Sequence, residues 1–146
     1  MIQRIQTIFL FIAALAFAAL FKFPFAISDV SNNGFLADKD FDVYDSPVLL
    51  VLAGLGVLIA LVAIFLYKNR TLQIRLSYLV IILGILLIVV AVILFYNEAT
   101  TLLDKVHKID DAAGLYMPIL AFIAGFLAAM FIRKDEKLVR SMDRLR

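Results

Sequence analysis

The sequence predicts an all-α fold: an integral membrane bundle of four transmembrane helices, with a short β-hairpin in the first outer loop and an amphipathic cytoplasmic C-terminal helix. Three observations predict it. Hydrophobic residues make up 64% of the 146 positions, against roughly 45–50% in soluble domains, so apolar surface is left over that must face something other than water. The excess lies in four runs, each near the roughly 20 residues needed to cross a hydrocarbon core about 30 Å thick. Lys and Arg gather on one side of those runs, which fixes a direction. The whole chain, 1–146, reads as a single membrane domain.

The first span covers about 5–24. Lys22 falls inside it, eighteen residues beyond Arg4 and so about 27 Å along a helix. That distance carries it to the far headgroup layer, where a lysine can snorkel. Arg4 and the Ala26-Ile27-Ser28 segment also resemble the ends of a cleaved signal peptide. The length of the apolar run, and Lys22 and Phe23-Pro24-Phe25 ahead of the cut, favour a retained span.

The outer loop that follows, about 25–46, contains Asn33-Gly34, a turn signal able to join two short strands. Behind it stand Asp38, Asp40, Asp42 and Asp45, whose spacing resembles that of a calcium loop. Val43 occupies the position where such a loop needs glycine, and Leu49 the position of the bidentate glutamate. No metal site is expected; Asp38, Asp40 and Asp42 are the candidate ligands if one exists.

Ser46-Pro47 reads as an N-cap followed by proline at the first helical position, and opens a second span at 47–67. An inner loop, 68–75, turns the chain back into a third span at 76–96. Asn69-Arg70-Thr71 matches a glycosylation pattern but falls on the inner side. A second outer loop, 97–114, holds the single His107, read as a solvated loop residue. The fourth span covers 115–132, with Pro118 either in its first turn or kinking it near Gly114. Tyr67 and Tyr78 on the inside, and Tyr96 and Tyr116 on the outside, stand at the depth amphipathic rings prefer.

Orientation follows from the charges. Arg4, Lys68, Arg70, Arg75 and six basic residues of the tail 133–146 lie on one side. Lys39, Lys105 and Lys108 lie on the other. Both termini are therefore expected in the cytoplasm. In the tail, Leu138, Met142 and Leu145 recur at i, i+4 and i+7, and Glu136–Arg140 forms a favourable pair. The tail is expected to be helical, lying on the membrane or continuing the fourth span. Three interspersed acids and no aromatic argue against nucleic-acid binding.

Rows of small residues, Ala121, Gly125 and Ala129 in the fourth span, Gly56 and Ala60 in the second, and Ala14 and Ala18 in the first, mark expected helix contacts. They serve packing within one chain, with a homo-oligomer contact as the alternative. Cysteine is absent, which excludes disulfides, thiol chemistry and Cys-ligated zinc or iron–sulfur clusters. Spans two to four contain no ionisable residue except tyrosine, unlike proton-coupled transporters. No catalytic residue and no cofactor is expected, and the chain is not read as an enzyme.

MIQRIQT at the start and IRKDEKLVRSMDRLR at the end resemble the opening and closing segments of a family of small four-span membrane proteins of Bacteroidetes-type bacteria, domain-of-unknown-function family 4293. The resemblance spans the chain in length and span count, but its specific motifs are those two ends. It implies the inner membrane of a Gram-negative cell, and brings no activity, catalytic residue or cofactor with it. Both motifs fall on the cytoplasmic face. Gln3, Arg4, Gln6, Arg133, Asp135, Glu136, Arg140, Asp143 and Arg144 are therefore the candidate interaction surface, with Arg4 expected near Asp135 or Glu136. The functional expectation is a scaffold, assembly or accessory factor that meets a membrane or cytoplasmic protein partner through that face. The alternative is a small transporter or channel component acting as an oligomer.

Overall fold

The computed structural model describes residues 3–28, 40–102 and 109–143, and their side chains except at 3, 4, 28, 98–102, 109–111, 140, 142 and 143. Four α-helices dominate: α1 Gln3–Ala19, α2 Pro47–Phe65, α3 Arg70–Leu102 and α4 Met117–Asp143. Three short strands, β1 Ala26–Ser28, β2 Asp40–Phe41 and β3 Ile109–Asp111, lie in the connections. Three of the helical segments, Pro47–Phe65, Arg70–Asn97 and Ala113–Val139, are long and apolar enough to cross a membrane. The first is a shorter apolar helix, Ile5–Ala19, and not the helix over 5–24 that the hydropathy suggested. Beyond Ala19 the chain tightens: the N–H groups of Leu20, Phe21 and Lys22 bond to the carbonyls of Phe17, Ala18 and Ala19, three residues back.

The helices close into a ring in which α1 packs on α2 and α4, and α3 packs on α2 and α4. Small residues set the spacing. A Cβ on Gly56 would meet the Phe17 ring at 2.6 Å, so α2 lies against α1 at this point. A Cβ on Gly125 would meet Val80 Cγ1 at 3.0 Å, and one on Gly84 the Pro118 carbonyl oxygen at 3.3 Å, so α3 and α4 approach as closely. Ala60, Ala121 and Ala129 are buried. Ala18 is exposed; in α1 the buried row is Ala13, Ala14, Ala16 and Phe17. Phe17, Leu20, Leu49, Val80 and Leu87 fill the middle of the ring. Leu10, Ala63 and Ala128 form a second, smaller cluster with Leu76 beside it. The outward faces are apolar too: Leu58, Phe65, Val89 and Phe126 are all more than half exposed or nearly so, as lipid-facing side chains are.

Helix ends follow local chemistry. Ser46 holds the N-cap position of α2 in an extended conformation and Pro47 opens the helix, but the serine side chain makes no capping bond. The fixed φ of the proline sets this start. Asn69 caps α3, its Oδ1 accepting from the Leu72 N–H at 3.2 Å. The helix therefore begins at Arg70, six residues ahead of the apolar run, because the polar stretch 70–75 is as compatible with helix as the run itself. Pro118 is the second residue of α4, after a 3-10 turn at Ala113–Tyr116, and it starts the helix without kinking it. At the other end α4 continues through the tail to Asp143. The tail is thus one helix with the fourth apolar segment, and its inward positions are Ile132 and Asp135, while Leu138 is exposed.

At the far end of the ring, β1 is the centre of an antiparallel sheet in the order β2-β1-β3. Ala26 pairs with Phe41 on one side and Asp111 on the other. The β1–β2 pair is the hairpin expected in the first outer loop; its Asn33-Gly34 turn lies outside the described residues. The third strand comes from the connection between α3 and α4 and was not expected. Gly114 N–H donates to the Pro24 carbonyl at 2.8 Å, and a Cβ there would overlap the carbonyl oxygens of Phe23 and Pro24.

Candidate contact surface at the Arg70–Asp135 end

The end of the ring opposite the sheet brings together the start of α1, the turn between α2 and α3, and the tail half of α4. Helical geometry sorts its residues. On α3, Gln73 and Ser77 are four apart and share the inward face; both are fully buried. Gln73 Nε2 donates to the Ala63 carbonyl at 3.1 Å, satisfying one of the carbonyls left over at the end of α2. Ser77 Oγ donates to the Gln73 carbonyl at 2.9 Å. From α1, Gln6 donates through Nε2 to the Phe131 carbonyl at 3.3 Å. The Phe9 and Phe131 rings stack beside it, 5.4 Å apart and 6° from parallel.

Asp135 is buried and faces Arg70, with Nη2 3.2 Å from Oδ2. The pair has contact but not the alignment of a hydrogen bond, so Oδ2 is a buried acceptor without a donor. Asp135 therefore pairs with the α2–α3 turn; the side chain of Arg4, expected near it, lies outside the described residues. So do those of Gln3, Arg140 and Asp143, and all of Arg144.

Successive residues of a helix point about 100° apart, and the tail residues divide accordingly. Glu136 lines a cleft of about 650 Å³ with Tyr67, Lys68, Asn69, Arg70 and Val139. Arg133, about 60° from Glu136 around the helix, lines a second cleft of about 340 Å³ between α3 and α4 that also holds Lys134 and Lys137. Its guanidinium carbon sits 4.9 Å from the centre of the Tyr78 ring, a cation–π distance. Of the residues proposed for one interaction surface, Gln6 and Asp135 thus knit the end together from inside, while Arg133 and Glu136, about 60° apart around α4, line two different clefts. Arg70, Gln73 and Ser77 were missed by sequence reasoning. Polar residues at i and i+4 ahead of an apolar run were the available signal.

The acidic segment ahead of α2 is organised by bonds between its carboxylates and its own backbone. Asp45 Oδ2 accepts from the Asp42 N–H and Asp42 Oδ1 from the Tyr44 N–H, both at 2.7 Å. Asp40 opens β2 opposite Ile27. Asp38 and His107 lie outside the described residues. Among the described residues no group of three His, Cys, Asp or Glu side chains is placed to hold a metal ion.

Comparison with known proteins gives one relationship. A family model described as a domain of unknown function, DUF4293, matches residues 2–145. No curated protein and no solved structure matches.

Proposed function

The chain belongs to the DUF4293 family, a domain of unknown function, and within that family we propose that it is a non-enzymatic, four-span inner-membrane protein acting as a scaffold, assembly or accessory factor. Both termini lie in the cytoplasm, and the Arg70–Asp135 end is the contact surface. The fourth span is α1. Its 17 residues give about 25 Å at 1.5 Å per residue, and the i→i−3 turns beyond Ala19 add about 2 Å per residue, reaching the roughly 30 Å of hydrocarbon. The four helices then form a membrane bundle with one short connection, between α2 and α3, on the cytoplasmic side.

The observation that carries this reading is the continuity of α4. Its 27 residues make about 40 Å of helix, which leaves the last turns projecting from the membrane as a rigid arm. Beside that arm, Glu136 and Lys68 line an open cleft of about 650 Å³ built from two segments of the chain. Lys68 and Glu136 give this cleft charge of both signs, complementary to a partner surface of mixed charge. The ring interior favours this reading over a conduit through one copy, since Leu10, Phe17, Leu49, Val80 and Leu87 fill it.

Affinity isolation of the tagged, full-length protein from crosslinked membranes tests the proposal. A stoichiometric protein partner is expected, lost in a K68E/E136K variant. If no partner appears, and liposomes holding only this protein pass a solute, the chain is instead a small transporter or channel component.

A further inference from the structure

The cleft between α3 and α4 has a composition gradient along its length. Phe126, Ala129 and Met130 form one end, and Arg133, Lys134 and Lys137 the other, with Tyr78 of α3 opposite. From Phe126 to Lys137 is about 16 Å of helix. None of the described lining residues is acidic, and Lys134 and Lys137 are exposed. The cleft crosses the point where α4 changes from apolar to charged, which is the headgroup boundary of a membrane-spanning helix. Its volume of about 340 Å³ is at the lower end of the range for small-molecule sites.

We propose that this cleft binds one anionic phospholipid of the inner leaflet, its phosphate held by Arg133, Lys134 and Lys137 and the upper part of an acyl chain laid on Met130 and Phe126. The assignment rests on the membrane reading above. Charge complementarity selects the occupant: three cations and an apolar floor match an anionic headgroup on a hydrocarbon tail, whereas a soluble phosphate would leave the floor unused. Arg133 is the organising residue. Its guanidinium carbon lies over the Tyr78 ring, 4.9 Å from the ring centre, and a guanidinium placed there can offer a phosphate two donors at once. Lys134 and Lys137 are flexible point charges that close over the headgroup.

The test is lipid retention by the full-length protein, released from nanodiscs of equimolar phosphatidylglycerol and phosphatidylcholine with identical chains and read by native mass spectrometry. Wild-type protein is expected to keep phosphatidylglycerol preferentially. Each basic residue near an anionic surface contributes about 1 kcal/mol, or about fivefold, so K134Q/K137Q should lose most of the preference. The matched variant K22Q/K68Q removes the same charge away from this cleft and should keep it. Equal retention of the two lipids by the wild type, or equal loss in both double variants, would overturn the proposal. Displacement of the lipid by equimolar inorganic phosphate would overturn it too, in favour of a soluble-anion site. The measurement needs neither a protein partner nor a known orientation, so its failure leaves the scaffold reading untouched, and absence of a partner leaves the lipid site standing.

Discussion

Arg70 and Asp135, 3.2 Å apart, tie the first residue of α3 to the tail half of α4. The two partners differ in exposure: 25% of the arginine side chain is accessible and 12% of the aspartate. Removing either therefore does not cost the same. R70A strands a buried carboxylate and should destabilise the protein by about 1–3 kcal/mol. D135N leaves a guanidinium that still reaches water, and should cost less. Unfolding of the detergent-solubilised variants checks this; equal losses would mean the pair is not the coupling it is taken to be.

Gly56 reports on helix spacing. A methyl group there would press on the fully buried Phe17 ring at 2.6 Å, so G56A should cost about 1–3 kcal/mol through overpacking. F17L in the same chain should recover part of that loss, giving a coupling in a double-mutant cycle. Gly54 is two residues away with nothing within 4 Å. G54A should be neutral or gain about 0.5–1 kcal/mol from reduced chain entropy. Additive behaviour of G56A and F17L would contradict the packing described.

Gly114 is more constrained, because its neighbours are the backbone carbonyls of Phe23 and Pro24 and cannot rotate away. G114A should break the sheet end and reduce the yield of monodisperse protein far below that of G54A. A G114A protein with unchanged melting temperature would show that the approach of the 3-10 turn to Pro24 is dispensable.

Membrane direction is open to a direct measurement, since the chain has no cysteine. Y44C, at an exposed position beside the sheet, should react with a membrane-impermeant maleimide on intact spheroplasts. K68C should react only after the membrane is opened. Labelling of K68C on intact spheroplasts would reverse the orientation and move the proposed contact surface outside.

How far the sequence could carry these conclusions depends on the range of the forces involved. Hydropathy is a property of consecutive residues, so the segments around 47–65 and the apolar core of α3 were legible within a few positions. The start of α3 at Arg70 was not, because helix continues through polar residues when Asn69 supplies a cap. β3 was illegible for a different reason: three residues are too few to show a period, and its partner β1 is more than 80 residues away. The Arg70–Asp135 pair is likewise a product of which helices close the ring. At the candidate surface, the spacing of Leu138, Met142 and Leu145 led to the expectation of a helical tail, and α4 runs through it to Asp143. The sequence left open whether the tail lies on the membrane or continues the fourth span; that it is one helix with α4, with Arg133 and Glu136 lining different clefts, depends on how the helices close the ring.

The Gln6–Phe131 bond spans 125 positions in sequence, and this has a consequence for synthesis. At about 5–20 residues per second, the acceptor leaves the ribosome roughly 6–25 s after the donor. Throughout that wait the glutamine amide, and the alanine row above it, have no α4 to rest against. This end of the ring is therefore closed only after the last helix has been made, and a change at Gln6 is first felt at the final step of assembly.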